Sequence, residues 1–327
     1  MTEWDDLPRI LTSAPSFLAA TYGMSSDMSV TLLGLSENVS LLITDSQTNR
    51  EVVLRVHRRA YHNRHAIASE LGWLAALHRD TDLLVPRSID NAAGAQVSEM
   101  VLPDGRRRHS VLFDRVPGTN LTLEDASPHW YNKLGKVAAE LHNHTTRWPL
   151  PDGFQRFAWD IESTLGPTAR FGSWRDHPGL SWDAALALDR AESLLRNRLD
   201  SYQAQGGQQG LIHGDLHLMN LMIDGDDLWS IDFDDCGFSW LMFDIGASMQ
   251  FVPDGPFIEE LTEAWTTGYQ QVRPLAQMDI DFLTDFIFLR RLLLLGWSAT
   301  HVDATLPEAM SDIVQRTTEA ACRYLRS

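Results

Sequence analysis

Lysine is nearly absent from this chain: Lys133 and Lys136 are the only two, against 25 arginines. Any cationic side chain before residue 133 is therefore an arginine or a histidine. Cysteine is also scarce. Cys236 and Cys322 cannot build a disulfide framework, and no CxxC or Cys/His cluster offers a structural zinc site. Basic charge is short overall, with 27 basic against 44 acidic residues and a net charge of −17. Nucleic acid needs a basic footprint, so it is not expected as a partner. The same acidity suits a cationic substrate as well as simple solubility. Long apolar runs are missing too. The most apolar stretch, Phe286 to Trp297, is too short to span a bilayer and carries Arg290 and Arg291 in its middle, so it reads as a buried helix. The opening MTEWDDLPRI lacks a signal pattern. These features predict a cytoplasmic protein with no membrane partner.

What remains is globular in composition, 44% hydrophobic and 22% charged over 327 residues, enough for two packed lobes or one large domain. After a short amphipathic helix, Val30–Leu35, Val39–Asp45 and Glu51–His57 read as strands, and His65–Arg79 as a helix with Ile67, Leu71, Leu74 and Leu77 on one face. Gln96–Leu102 and Arg107–Arg115 form a hairpin around Pro103-Asp104-Gly105. This predicts an α+β unit with a mostly antiparallel sheet. Val116-Pro117-Gly118-Thr119 is a breaker cluster, placing a boundary between residues 1–116 and a mostly helical 117–327. Pro128–Thr145 and Ala184–Gln205 read as helices. Between them, residues 147–183 are irregular and hold Trp148, Trp159, Trp174 and Trp182, a candidate substrate-side insertion. Beyond residue 235 the chain is expected to be helical to its end.

The densest chemical signal is LIHGDLHLMNLMIDGDDLWSIDFDD, Leu211 to Asp235. A polar loop leads into two short strands joined by Asp224-Gly225-Asp226, which would bring Asp215, Asn220 and Asp232 together. Phosphoryl transfer from a magnesium nucleotide uses such a set. Mg²⁺ takes hard oxygen ligands, one or two from the protein, and Asn220 and Asp232 suit that role. Asp215 is then free to accept the proton of an attacking hydroxyl. The H-x-D-x-x-x-x-N spacing followed by a strand-end Asp is that of kinase catalytic loops.

His213-Gly214-Asp215, Asn220 and Ile231-Asp232-Phe233-Asp234-Asp235 together resemble the aminoglycoside phosphotransferase and choline kinase-like superfamily. The resemblance implies a two-lobed protein kinase-like fold and an ATP- and Mg²⁺-dependent phosphotransferase acting on a hydroxyl of a small molecule. It also implies a phosphate-covering hairpin, for which Ser36, Glu37 and Asn38 stand in the right place. A third-strand cation paired with a helix Glu is expected next, and Arg55 takes the place of the usual lysine, with Glu70 as its partner. Arginine keeps bidentate phosphate binding but changes reach. The hinge would offer adenine backbone groups near Asp114, Arg115 and Val116, which does not choose between ATP and GTP. Asp244 resembles the buried Asp that holds the catalytic loop, and His213 reads as loop support.

His217, between Asp215 and Asn220, could touch substrate or phosphate. Trp159, Asp160, Glu162 and Trp174 are candidates for a wall binding a cationic amino-alcohol or aminoglycoside. Neither HRD nor DFG is present, which argues against a regulated protein kinase. Two alternatives stay open: a bacterial stress-type protein kinase, whose loop also ends in paired aspartates, and a non-catalytic pseudokinase, suggested by the missing lysine. Oligomeric state is not legible.

Overall fold

The computed structural model describes residues 5–35, 38–59, 61–300 and 312–326. Among the described residues the chain divides into two compact units, one built from those up to 118 together with 150–155, the other from 119–149, 156–300 and 312–326.

The first unit opens with α1 (Leu7–Tyr22), followed by β1 (Met28–Leu35), β2 (Asn38–Asp45), β3 (Glu51–His57), α2 (Arg64–Asp80), β4 (Ser88–Ile89), β5 (Ser98–Val101) and β6 (Arg107–Asp114). Its sheet is antiparallel in the order β1-β2-β3-β6-β4, with β5 also on β6. Strand alternation sorts β3 into two faces. Val52, Leu54 and Val56 are buried in a core with Ile10, Ala14 and Leu18 of α1, which recur every four residues along one helix face. Val53, Arg55 and His57 take the other face. Asp6, at the start of α1, receives Arg108 Nε and Nη2 at 2.8–3.0 Å, a buried pair that ties the helix to β6. Asn63 caps α2 by accepting from Ala66 N at 2.9 Å. Gln155 N donates to Ser69 Oγ on α2 at 2.8 Å, which explains why 150–155 joins this unit.

The second unit comprises β7 (Thr119–Asn120), α3 (Pro128–Thr145), α4 (Ile161–Leu165), α5 (Trp182–Ala204), β8 (Gln209–Ile212), β9 (Leu221–Asp224), β10 (Asp227–Ser230), β11 (Gly237–Trp240), α6 (Phe243–Met249), α7 (Pro256–Gln270), α8 (Gln277–Asp281), α9 (Leu283–Thr300) and α10 (Ile313–Tyr324). None of the helices among the described residues is long and apolar enough to cross a membrane. β11 corrects the expectation of uninterrupted helix after residue 235. It pairs antiparallel with β8, and Phe238 exchanges backbone hydrogen bonds with Phe157 and Trp159. Phe238 and Trp240 are strand-favouring but the segment is only four residues long, so its pairing partner decides its conformation.

Candidate active site

The site in the second unit is built on a hairpin. β9 and β10 pair antiparallel from Leu221↔Ser230 to Asp224↔Asp227, and Ile231 N donates to Asn220 O at 2.9 Å. Asn220 and Asp232 therefore stand at the open end of the same hairpin. The loop before it turns at Gly214, whose φ is 82° and where a Cβ would lie 2.4 Å from Asp235 O. Only glycine fits there, by conformation and by space. Asp244, in the first turn of α6 and fully buried, accepts from His213 N at 3.2 Å and Gly214 N at 2.8 Å, and meets His142 Nε2 at 3.0 Å. The His213 ring contacts Ile231 O through Nε2 at 3.1 Å and accepts Asp215 N–H on Nδ1 at 3.3 Å. Those two partners require the Nε2–H tautomer, and burial lowers the pKa of the ring. His213 is thus a fixed strut between loop and hairpin.

Asp215 is the most exposed member of this buried set, at 22% of its side chain. Its Oδ1 accepts from Gln250 Nε2 at 3.2 Å and from Arg290 Nη2. Its Oδ2 meets His217 Nε2 and accepts from Asn220 Nδ2, at 3.2 and 3.1 Å. Burial alone would raise the pKa of this carboxyl, but His217 and Arg290 beside it hold it well below the usual carboxylate range. Asp215 is therefore an ionised acceptor, suited to orienting a hydroxyl. Asn220 Nδ2 also reaches Asp215 O at 2.9 Å, which leaves its Oδ1 as the acceptor for anything outside the loop.

Asp232 has φ 62° and ψ 66°, one of two non-glycine residues with positive φ among the described residues. Aspartate tolerates this region better than most side chains, at some cost in strain. Among the described residues no group of three or more His, Cys, Asp or Glu could hold a metal alone. An amide oxygen and a carboxylate are instead the hard, incomplete donor set that suits a divalent cation completing its shell with phosphates and water. The donors present fit such an ion.

A sequence model of the phosphotransferase enzyme family matches residues 31–275. The chain belongs to that family. A solved structure, the microcompartment-associated aminopropanol kinase, is 39% identical and superposes with a TM-score of 0.86 over 97% of this chain and 98% of its own. Amicoumacin kinase of Bacillus subtilis (strain 168) is 26% identical over 290 residues, 85% of this chain and 82% of that protein. The structure of an amicoumacin kinase with AMP-PNP, Ca²⁺ and Ami, 20% identical with a TM-score of 0.76 over 95% and 93% of the two chains, shares the fold. The α+β kinase-like architecture and the phosphotransferase class thus stand.

In the first unit of this phosphotransferase, Arg55 Nη2 donates to both Glu70 oxygens at 2.7 and 2.8 Å, with its guanidinium 4.9 Å from the Phe113 ring centroid. Asn38 opens β2 and is buried. Ser36 and Glu37 lie outside the described residues. At the strand end, Asp114 N donates to Arg87 O at 2.9 Å and its carboxylate pairs with Arg50 at 3.0 Å. Its N–H is therefore already paired within this unit. Val116 lies two residues on and is buried.

The proposed substrate wall is overturned for its two tryptophans. Trp159 is wholly buried among Phe157, Phe171 and Phe243, and its Nε1 donates to Asp235 O at 2.8 Å. Trp174 is 2% exposed and donates to Glu192 Oε2 at 2.7 Å. Arginines already lie over both rings, Arg170 at 5.8 Å from the Trp159 centroid and Arg175 at 4.3 Å from that of Trp174, so a cationic ligand would find these faces taken. Arg156 donates to Cys236 O and Asp234 O, so residues 156–159 brace the turn that follows Asp232. Asp160 is spent capping α4, accepting from Ser163 N at 2.8 Å. Glu162 is exposed and lies 3.9 Å from Arg196. Sequence reading missed Arg290, Gln250 and His142. For Arg290 a signal existed, since a charge inside an apolar helix must find a partner.

Proposed function

We propose that this chain transfers the γ-phosphate of ATP, with Mg²⁺, to the hydroxyl of a small amino-alcohol. The observation that carries the reading is the Asp215–Asn220 pair at the mouth of the hairpin, held by Asp244 and His213. The substrate class draws support from the 39% identity to an aminopropanol kinase over nearly the whole chain. Asp215 orients the acceptor hydroxyl and takes its proton. A low-pKa carboxylate suits this because the phosphoryl transition state is loose and demands little of the base. Asn220 Oδ1 and the Asp232 carboxylate would hold the divalent metal, which neutralises phosphate charge when bound. Arg55, oriented by Glu70, binds the nucleotide phosphates, and Val116 offers backbone groups to the base. Arg156 and Trp159 support the site from behind by holding the backbone of residues 234–236.

ADP release measured with aminopropanol, ethanolamine, choline, an aminoglycoside and amicoumacin as acceptors tests the reading. Turnover is expected with the small amino-alcohols. Label transfer to protein serines and threonines, and to none of these alcohols, would sink it in favour of a protein kinase. The 26% identity to amicoumacin kinase supports a second reading, antibiotic phosphorylation, which predicts growth protection against amicoumacin on expression.

A further inference from the structure

Arg290 lies in α9 inside Phe-Leu-Arg-Arg-Leu-Leu-Leu-Leu, yet it is only 3% exposed. A guanidinium taken out of water is costly unless its donors are met. Here Nε donates to Gln250 Oε1 at 2.7 Å, Nη1 to Gly214 O at 3.0 Å and Nη2 to Asp215 Oδ1. Gln250 closes the circuit by donating to the same Oδ1 at 3.2 Å. The fork thus grips the catalytic loop at two successive residues, by backbone and by side chain. α6 packs against α9 at Gly246, where a Cβ would sit 2.4 Å from Phe286 O, and this close approach brings Arg290 within reach.

The two oxygens of Asp215 are not equivalent. Oδ1 is held by two donors from outside the loop, Arg290 of α9 and Gln250. Oδ2 faces Asn220, whose amide is anchored on Asp215 O, and His217. The other ring nitrogen of His217, Nδ1, has no hydrogen-bond partner among the described residues, and the Phe251 ring meets the imidazole edge-on with centroids 5.3 Å apart. Both partners of Oδ2 thus belong to the loop itself, whereas both partners of Oδ1 lie outside it.

We propose that Arg290, with Gln250, is the positioning residue of the transfer: it fastens Oδ1 of Asp215 so that Oδ2 is the oxygen presented to the acceptor hydroxyl. The inference rests on the reading of Asp215 given above. In the step, the acceptor O–H bond breaks and its proton passes to Oδ2. The acceptor oxygen bonds to the γ-phosphorus, and the bond from that phosphorus to the β–γ bridging oxygen breaks, its electron pair leaving on ADP.

The test compares Arg290→Lys, Arg290→Gln and Gln250→Leu with wild type and Asp215→Asn. ADP release is measured with aminopropanol and with water as acceptor, alongside nucleotide titration and melting temperature. Losing orientation of a catalytic group costs about 100-fold, so Arg290→Gln should lower kcat by roughly that factor while the KM for ATP stays within about twofold. Arg290→Lys keeps the charge but not the fork and should recover part of the loss; Gln250→Leu, losing the weaker of the two contacts, should lose less, about tenfold or under. A folded Arg290→Gln enzyme with wild-type kcat overturns the proposal. Should that variant not fold, unchanged kcat in both Arg290→Lys and Gln250→Leu overturns it equally. Full activity of Asp215→Asn would instead remove the underlying reading of the site.

Discussion

Two arginine–carboxylate pairs, Arg55–Glu70 in the first unit and Arg290–Asp215 in the second, are arranged in opposite senses. In the first, Glu70 is 1% exposed and Arg55 8%; in the second, Arg290 is 3% exposed and Asp215 22%. The less buried member is the one whose charge suits a ligand: a cation for phosphates in the first, an acceptor for a hydroxyl in the second. The deeper member sets its direction. The surrounding charge follows the same division. Residues 1–118 carry 14 acidic and 12 basic side chains, whereas residues 119–327 carry 30 acidic and 15 basic. The acidity of residues 119–327 would suit the cationic acceptor proposed above.

The strongest way to break this comparison is to remove the working member of the second pair. Asp215→Asn should lower kcat by about 10³-fold or more while nucleotide-induced thermal stabilisation persists, because general base and orienting roles are worth about 10²–10⁴ in rate. The corresponding change to the buried member of the first pair should act on folding and nucleotide affinity. Glu70→Gln leaves Arg55 buried without its counter-charge, and removing one partner of a buried pair costs about 3–5 kcal/mol, readable by urea unfolding. An intact stability curve with wild-type KM for ATP would show that the first pair is not an orienting device.

Gly214→Ala sharpens the second half of the comparison without touching a charge. A Cβ at φ 82°, 2.4 Å from Asp235 O, must shift the loop. An ångström of displacement at the reacting centre costs about 100-fold in kcat. The smallest effect is expected outside both pairs, at the surface. Arg106 holds the Asp104 carboxyl down to about 2. A depressed carboxyl stabilises above its unfolded value near 4, and that contribution is lost as pH falls through about 2. The group is solvated, so Asp104→Asn should shift the melting temperature at neutral pH by no more than about 2 °C.

Some of this was open to sequence reading because the information is local. Asp215 and Asn220 are five residues apart on one loop. Asp232 follows a strand whose turn, Asp224-Gly225-Asp226, is written in the residues. β3 and α2 announce themselves by periods of two and of three to four, which puts Arg55 and Glu70 on facing surfaces. Trp159 shows the limit. An aromatic in an irregular stretch reads equally as a binding wall and as core, and the choice falls to core only because its indole finds Asp235 O at a sequence distance of 76.

By itself, then, the chain determined the identity and spacing of the loop residues, the hairpin that carries them and the arginine standing where a lysine is usual. These follow from short-range geometry, which a linear pattern encodes. The tertiary structure alone decided which buried groups meet that loop: Arg290 at a separation of 75 residues, Asp244 beneath the backbone amides, Trp159 and Arg156 behind the turn that follows Asp232. A buried charge or indole N–H must be satisfied by some partner, so its presence in an apolar segment is a demand that sequence reveals. Which partner meets the demand depends on how helices and strands pack, and that is settled only when the whole core closes.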